Sequence, residues 1–572
     1  MGRAALSGAL MTPLSYMTVK LPVERSAPIM LTAIIAGAAG LALYWVFLVP
    51  ILQAPDEANH LNTALNIYSA GKLISVREPL HSWNSDAAGR HLYVTYLAKA
   101  TDAGAMIFHY EVKVPSNYGT REYYDALDRN APGINSGKLE GEHRQQYGML
   151  TTYPCGYYVV LACWLWVASH FGGRVTEMFF AARIFSVLLL AVNLFLMYVT
   201  LAELRVNSRR ALILTAIVGF FPMTTFVSSY VQADNFTLTM VLLSCYTALR
   251  ARRDFRVRSL IVLALALAGL CLTKYHFFAA VYPAALAMVA AENLAKPRRV
   301  GWMKTAAILL GPVLLAAAVH IWVTSGSDPN LVLFNQSTGH QGFDQAASHG
   351  KIAAATYLIN GVGLAFSNFY LNGHTALTGS TFNSFWGDFG WTDTPLIIFS
   401  SWKTNIIRNL IALACVLVFA LTIVRLFQVS VRLRRVARRG HPRRALCILF
   451  SNPLLNAYFI FTVMMFGLFM VVRRSFAPQG RNWFPFILAI FLNAIVYAPR
   501  ALRGRRLSNF LSGVLTAGLA TYCILGSCYA IPSIINRYYN VHAAPPPYSF
   551  VAPKPAYVPC CRRVPDLFGA GS

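Results

Sequence analysis

The chain has 572 residues, 56% of them hydrophobic and 12% charged, with a mean hydropathy of +0.49. A soluble protein carries about 25% charged residues, so a soluble globular fold is excluded; apolar runs of about 17–25 residues recur and read as an all-α polytopic membrane protein. The net charge of +27 does not imply nucleic acid, because the arginines cluster in short loops between apolar runs, as cytoplasmic loops do, where they also meet anionic membrane lipid.

Residues 1–27 contain Arg3, Lys20 and Arg25 and read as a cytoplasmic N-terminus. The apolar run 28–52 is too long for a signal-peptide core and reads as an uncleaved first span. A large outer loop, 53–176, follows it. Eleven of the 22 acidic residues fall between Ile51 and Thr152. The loop opens with Ala54-Pro55-Asp56-Glu57-Ala58-Asn59-His60, and from Glu57 to Ala70 apolar residues at Leu61, Ala64, Leu65 and Tyr68 keep a helical period.

The segment 153–171 has the length of a span. Were it to cross, the next span would deliver Arg205, Arg209 and Arg210 to the outside. Lying along the membrane surface, it puts those three, and every later Arg-rich loop, in the cytoplasm. It is therefore expected to be a juxtamembrane helix. Spans are then expected at 177–204, 211–229, 236–250, 259–273, 277–294, 305–324, 404–428, 452–472, 484–500 and 508–532. With the first, that makes eleven spans plus an interfacial helix. The organisation is spans within 177–324, a second outer loop at 325–403, spans within 404–536, and a Pro-rich C-terminal tail at 537–572. The second loop carries Asp328, Asp344, Asp388 and Asp393 against Lys351 and Lys403, which suits an outer placement.

Ten cysteines are scattered, mostly inside apolar runs where Cys acts as a small hydrophobe. No CxxC or Cys/His spacing suggests zinc. Cys560-Cys561 is a redox or lipidation site, or plain coil. No P-loop or glycine-rich dinucleotide fingerprint occurs.

Carboxylates at the mouth of a membrane helix are costly to place and raise a functional hypothesis. Asp56 is a candidate general base, with Glu57 beside it; the bland alternative is a helix start, which Pro, Asp and Glu suit. His60, one turn on, orients a carboxylate, binds a metal, or is a surface histidine. Asp234, in Tyr230-Val231-Gln232-Ala233-Asp234-Asn235, is a substrate or metal ligand or an N-cap. Asp56, His60 and Asp234 are the candidate ligands of a divalent cation. Arg473, Arg474 and Arg481 face outside against the positive-inside bias, and a polyprenyl phosphate is a natural partner for such guanidinium groups. Lys274 and His276 are weaker candidates of the same kind, with snorkelling as the alternative. Phe385-Trp386-Gly387-Asp388-Phe389-Gly390-Trp391 followed by Thr392-Asp393 sets aromatic rings beside carboxylates, as sugar sites do; interface-belt aromatics are the alternative. Asn235-Phe236-Thr237 matches a glycosylation sequon by chance.

Five of these elements, in order, resemble a family of bacterial multi-pass membrane proteins designated domain of unknown function 2142. They are Pro55-Asp56-Glu57-Ala58-Asn59-His60 with Ala64 to Gly71, Tyr153-Pro154-Cys155-Gly156-Tyr157-Tyr158, Pro222 with Asp234, Phe389 to Pro395, and Gln479-Gly480-Arg481. That layout is similar to the C-type glycosyltransferase superfamily, including protein mannosyltransferases and aminoarabinose transferases. The resemblance implies a catalytic Asp near the end of the first span, here Asp56, and a juxtamembrane helix opened by a Pro-Tyr-type motif. Cys155-Gly156 departs from that motif and is expected to loosen the element.

The resulting expectation is a GT-C-like glycosyltransferase of the bacterial inner membrane, N-terminus cytoplasmic. It takes a sugar from a polyprenyl-phosphate donor and passes it to an envelope glycan, lipid or protein on the outer side. Asp56 and Glu57 are catalytic. His60, Asp234, Lys274, Asp388, Trp391, Asp393, Arg474 and Arg481 bind substrate. A transporter or flippase of lipid-linked glycans, or a non-catalytic envelope-assembly protein, uses the same residues without bond-making.

Overall fold

The computed structural model describes residues 26–73, 112–131, 153–295, 301–324, 402–472, 480–502 and 504–542, with isolated positions at 97, 100–102, 106, 353, 385–386, 388–389 and 394–395. Helix α1 (Ala27–Leu48) is followed by α2 (Glu57–Ala70) and then by α3 (Arg121–Asn130) in the loop. Next come α4 (Gly156–Ser169), α5 (Val175–Glu203), α6 (Ser208–Phe220), α7 (Pro222–Val227), α8 (Ala233–Asp254), α9 (Val257–Cys271), α10 (Tyr275–Ala295) and α11 (Trp302–Thr324). Two-residue strands β1 (Asp388–Phe389) and β2 (Thr394–Pro395) pair antiparallel, Asp388 opposite Pro395. The chain then forms α12 (Trp402–Arg438), α13 (Pro442–Leu449), α14 (Pro453–Val472), α15 (Ile487–Leu492) and α16 (Arg505–Tyr538).

Among the described residues seven helices are long and apolar enough to cross a membrane, or eight if α13 and α14, bent by 75° at their junction, make one span. They include α1, α5, α10, α11, α12, α16 and the segment Asn482–Ala501. The sequence expectation of eleven also counted α6 with α7, α8 and α9. The structure shows why these are harder to class. Pro222 has no N–H to continue α6, so the helix breaks at Phe221 and restarts. Helix α8 ends in Arg250, Arg252 and Arg253, and α9 has 15 residues.

Helix α5 is the axis of the bundle, packing on α1, α6, α8 and α4. Helices α8, α9 and α11 form a further layer, and α10 packs on α14. Apolar side chains of α12 such as Leu413, Ile423 and Phe427 are exposed, as a lipid-facing flank requires. The two ends of the bundle differ in chemistry. At one, Glu203 accepts from Arg250 and Arg253, and Arg252 bonds Glu292 and the Ser451 carbonyl. At the other, the break after α1, the start of α5 and the start of α8 meet around Glu57.

Helix α3 is fastened to that second end. Asp128 accepts from the N–H and hydroxyl of Thr176 at 3.0 and 2.6 Å, satisfying the first turn of α5, and Asp125 pairs with Arg174 at 3.1 Å. Helix α4 also belongs there: it starts against Leu272 and leads directly into the start of α5, with Trp164 donating to the Ala181 carbonyl at 2.8 Å. Gly156 corrects one expectation. Its N–H donates to the Leu272 carbonyl at 2.7 Å, and a Cβ there would stand 2.7 Å from that oxygen. The Cys155-Gly156 departure therefore fastens the element, because only glycine permits so close an approach.

Candidate functional site

Between α1 and α2 the chain makes a tight reversal containing two left-handed residues other than glycine, Leu52 and Asp56, both at φ 59°. Such backbone costs about 1–3 kcal/mol per residue and persists where the surroundings over-determine it. Here they do. Arg183 donates from Nη1 to the carbonyls of Val46 (2.7 Å) and Val49 (2.6 Å), and from Nη2 to that of Pro50 (2.9 Å). The same guanidinium grips Glu57 with two bonds, Nε–Oε1 at 2.8 Å and Nη2–Oε2 at 2.7 Å. All five of its N–H groups are thus engaged. The Val231 N–H adds a third bond to Glu57, at 3.2 Å. Both side chains are fully buried. The reversal is closed from the loop side by Tyr118, whose hydroxyl accepts the Ile51 N–H at 2.9 Å, and by Tyr539, which donates to the Leu48 carbonyl at 2.8 Å. Burial pushes the Tyr118 hydroxyl well above the usual tyrosine range, with Tyr124 and Tyr539 adding to it.

Asp56 sits at the end of this reversal as the N-cap of α2, half-buried, its carbonyl accepting the His60 N–H. His60 is buried among tyrosines of the motif that opens α4. Its Nδ1 shares a 2.9 Å hydrogen bond with the Tyr158 hydroxyl, and its ring stacks on Tyr153 and Tyr158, each at 5.8 Å. Tyr153 is shared: the Lys274 ammonium lies 4.6 Å from the centroid of the same ring. Lys274 in turn donates to Asp234 in the first turn of α8, and this pair is buried. Asp234 is not the N-cap; Gln232 is. Tyr158 lies within electrostatic reach of both Asp56 and Asp234, and burial chiefly, then its neighbours, raises its hydroxyl well above the usual range.

Three of the candidates read from the sequence, His60, Asp234 and Lys274, are therefore linked through Tyr153 and Tyr158, and Asp56 lies one turn of α2 before His60. Glu57 lies just behind them, with both oxygens held by Arg183. The turn carrying Arg481 (Gly480–Phe486) packs against α8, and its Phe486 meets Phe277, three residues past Lys274, at 5.7 Å. Arg474, Trp391 and Asp393 lie outside the described residues, and for Asp388 only the backbone is described. The adjoining Phe385 and Trp386 dock elsewhere: Trp386 accepts from Tyr522, midway along α16, and both rings pack on Phe221. Cys560 and Cys561 are also outside the described residues.

Among the described residues no group of three or more His, Cys, Asp or Glu is arranged to hold a metal ion. His60 instead bonds Tyr158, and Asp234 bonds Lys274. Asn235 of the sequon is fully buried, donating to the Ser186 carbonyl at 2.6 Å, which agrees with a chance match.

Sequence reasoning missed Arg183. The signal was present, since it is the single cation inside the apolar run 178–202, and a lone charge within a span marks a partner by default. Tyr153 and Tyr158 were noted as motif letters, without the role of a shared wall.

The chain matches the family described as "Predicted membrane protein (DUF2142)" over residues 40–436. A comparison with curated proteins finds no match. The family match covers well over half of the sequence and takes in the reversal at Asp56, the tyrosine motif and the Asp234–Lys274 pair: the chain belongs to the DUF2142 family of membrane proteins.

Proposed function

We propose that the protein is a bacterial inner-membrane glycosyltransferase of GT-C-like layout. In this reading α6 with α7, α8 and α9 complete eleven spans, the N-terminus is cytoplasmic, and the Asp56 end faces outward. A sugar passes from a polyprenyl-phosphate donor to a hydroxyl of an envelope glycan, lipid or protein. Asp56 takes the hydroxyl proton, the oxygen attacks the anomeric carbon, and the bond from that carbon to the phosphate oxygen breaks, releasing polyprenyl phosphate. Glu57 is a positioning residue that holds the Asp56 reversal through Arg183. Lys274, with Arg474 and Arg481, meets the charge that develops on the leaving phosphate. Asp388, Trp391 and Asp393 contribute to sugar recognition.

The observation that supports this reading is the Tyr153 ring shared by His60, one turn of α2 from half-buried Asp56, and by the Lys274 ammonium of the buried Asp234–Lys274 pair. A carboxylate fixed by a strained backbone reversal, with a prearranged cation in the same cluster, suits proton removal coupled to phosphate departure. The test is incubation of purified protein with labelled polyprenyl-phosphate sugar and an envelope extract. Release of polyprenyl phosphate by the wild type and its loss in Asp56→Asn supports transfer; no release under any acceptor rejects it.

One observation favours a second reading, transport of a lipid-linked glycan. The segment from Gly480 to Ala501 is an irregular span, a 3₁₀ turn followed by α15, a π-helical turn (Asn493–Tyr497) and a second 3₁₀ turn. Broken helices of this kind line transporter sites. Vesicle uptake of the labelled lipid without release of polyprenyl phosphate would favour it.

A further inference from the structure

At the end of the bundle opposite Asp56 stand three arginines from three separate elements. Arg210 stands in the first turn of α6, Arg425 on α12, and Arg500 in the short turn that closes the irregular span. Arg210 and Arg425 both lie within electrostatic reach of Arg500. The surroundings are ordered. Gln428 donates to the Ala501 carbonyl at 2.8 Å, Arg425 Nη1 reaches Gln428 Oε1 at 3.3 Å and the Arg500 carbonyl at 3.5 Å, and the Arg425 guanidinium lies 5.8 Å from the Tyr497 ring centre.

Among the described residues no carboxylate pairs with any of the three. Arg250, Arg252 and Arg253 at the same end all have one, in Glu203 or Glu292. The Nε of Arg425 is buried and has no hydrogen-bond partner. Capping of the carbonyls at a helix end accounts for the Nη1 contact. It does not account for the unmet Nε or for the two further cations. Like charges within electrostatic reach repel, and a buried donor without an acceptor is costly. A phosphate group answers both, since its oxygens accept from several guanidinium groups at once. Exposed apolar side chains stand to either side of Arg425 on α12, namely Val424 and Leu426. They offer acyl chains a surface beside the cations, which favours a lipid over a free anion.

We infer that Arg210, Arg425 and Arg500 form a binding site for the phosphate of an anionic phospholipid headgroup at the Arg-rich face of the bundle. This site is separate from the Asp56 cluster and does not depend on the glycosyltransferase reading. The full-length protein is reconstituted in nanodiscs of phosphatidylcholine, with and without phosphatidylglycerol. Retained lipid is counted by native mass spectrometry and melting is followed in parallel. The wild type is expected to retain phosphatidylglycerol and to melt higher with it. R425Q/R500Q is expected to bind it about tenfold more weakly or worse, while R505Q/R506Q, which removes two exposed neighbouring arginines, binds as the wild type does. Should R425Q/R500Q fail to fold, R210Q at an exposed position gives the same comparison. Retention by R425Q/R500Q or R210Q equal to the wild type overturns the site, as does an equal loss in R505Q/R506Q. Stabilisation by inorganic phosphate in phosphatidylcholine discs, with none from phosphatidylglycerol, overturns the lipid assignment in favour of a soluble anion.

Discussion

Arg183 holds both carboxylate oxygens of Glu57 while its remaining N–H groups reach three carbonyls at the end of α1, so one side chain fixes the first span, the fifth helix and the start of α2 together. A buried pair of this kind adds little against a well-packed apolar pair, yet breaking it from one side is strongly destabilising. Arg183→Met leaves a buried carboxylate unpaired and is expected to lower stability by about 3–5 kcal/mol. Glu57→Gln with Arg183→Met should be milder than the sum of the two single changes, because the residues act as a unit. Thermal melting of the four proteins in detergent checks this. Strict additivity would mean that the two side chains are energetically independent.

Asp56 sits one residue away and has a different fate. Its left-handed backbone is one that Asn and Gly tolerate and β-branched residues do not. Asp56→Asn is therefore expected to fold and melt as the wild type does while losing polyprenyl-phosphate release by 100-fold or more, the scale of about 10²–10⁴ that general-base catalysis contributes. Asp56→Val should lose stability as well. Retained activity in Asp56→Asn would remove it from the mechanism.

The Asp234–Lys274 pair is buried on both sides. Lys274→Met removes the ammonium bonded to buried Asp234 and is expected to cost several kcal/mol; Asp234→Asn in the same chain should recover most of that stability without recovering activity. Tyr153→Phe keeps a ring for Lys274 and His60 and should be close to neutral, whereas Tyr153→Leu removes both contacts. Comparing melting with release of polyprenyl phosphate separates the structural from the functional loss.

Alkaline pH tests the tyrosines beneath the reversal. Folding raises the Tyr118 hydroxyl above the unfolded value of about 10. The folded state therefore keeps a proton that the unfolded chain gives up once pH passes about 10. Stability tied to Tyr118 is intact below that pH and falls as pH rises above it. Tyr118→Phe should flatten this part of the melting-versus-pH curve while lowering stability near neutrality, since the Ile51 N–H loses its acceptor. An unchanged slope above pH 10 would assign the alkaline sensitivity to other groups.

Much of the architecture was legible because lipid leaves a chain few choices. Apolar runs gave α5 within two residues at its start and α11 within three, and the period after Pro55 gave α2. What escaped was set by tertiary partners. The run 211–229 reads as one span, but Pro222 breaks it and the chain from Phe221 to Gln232 is buried outside any long helix. The segment near 484–500 reads as a plain helix, and its π turn is fixed by contacts with α12 such as Asn493 to Thr422. The site followed the same division. Asp56, His60 and Asp234 announced themselves as polar groups beside apolar runs. Their grouping could not be read, because it runs through Tyr153, Tyr158 and Arg183, whose ordinary roles in a membrane protein conceal these contacts.

Gly156 provides the sharpest steric test of how that grouping is built. Its N–H and α-carbon lie against the Leu272 carbonyl, two residues before Lys274, so α4 and the Lys274 turn are pressed together at one point. A Cβ 2.7 Å from a backbone oxygen cannot be relieved by a side-chain rotation. Gly156→Ala must therefore part α4 from that turn, at about 1–3 kcal/mol for overpacking. The shift carries Tyr157 and Tyr158 with it, and so His60. Gly40→Ala is the control: Gly40 lies inside α1 with nothing within 4 Å of a new Cβ, and there Ala should stabilise by up to about 1 kcal/mol. Melting curves that move in opposite directions for the two variants are the expected result. A Gly156→Ala protein that melts with or above the wild type would show that the close approach does not hold α4 in place.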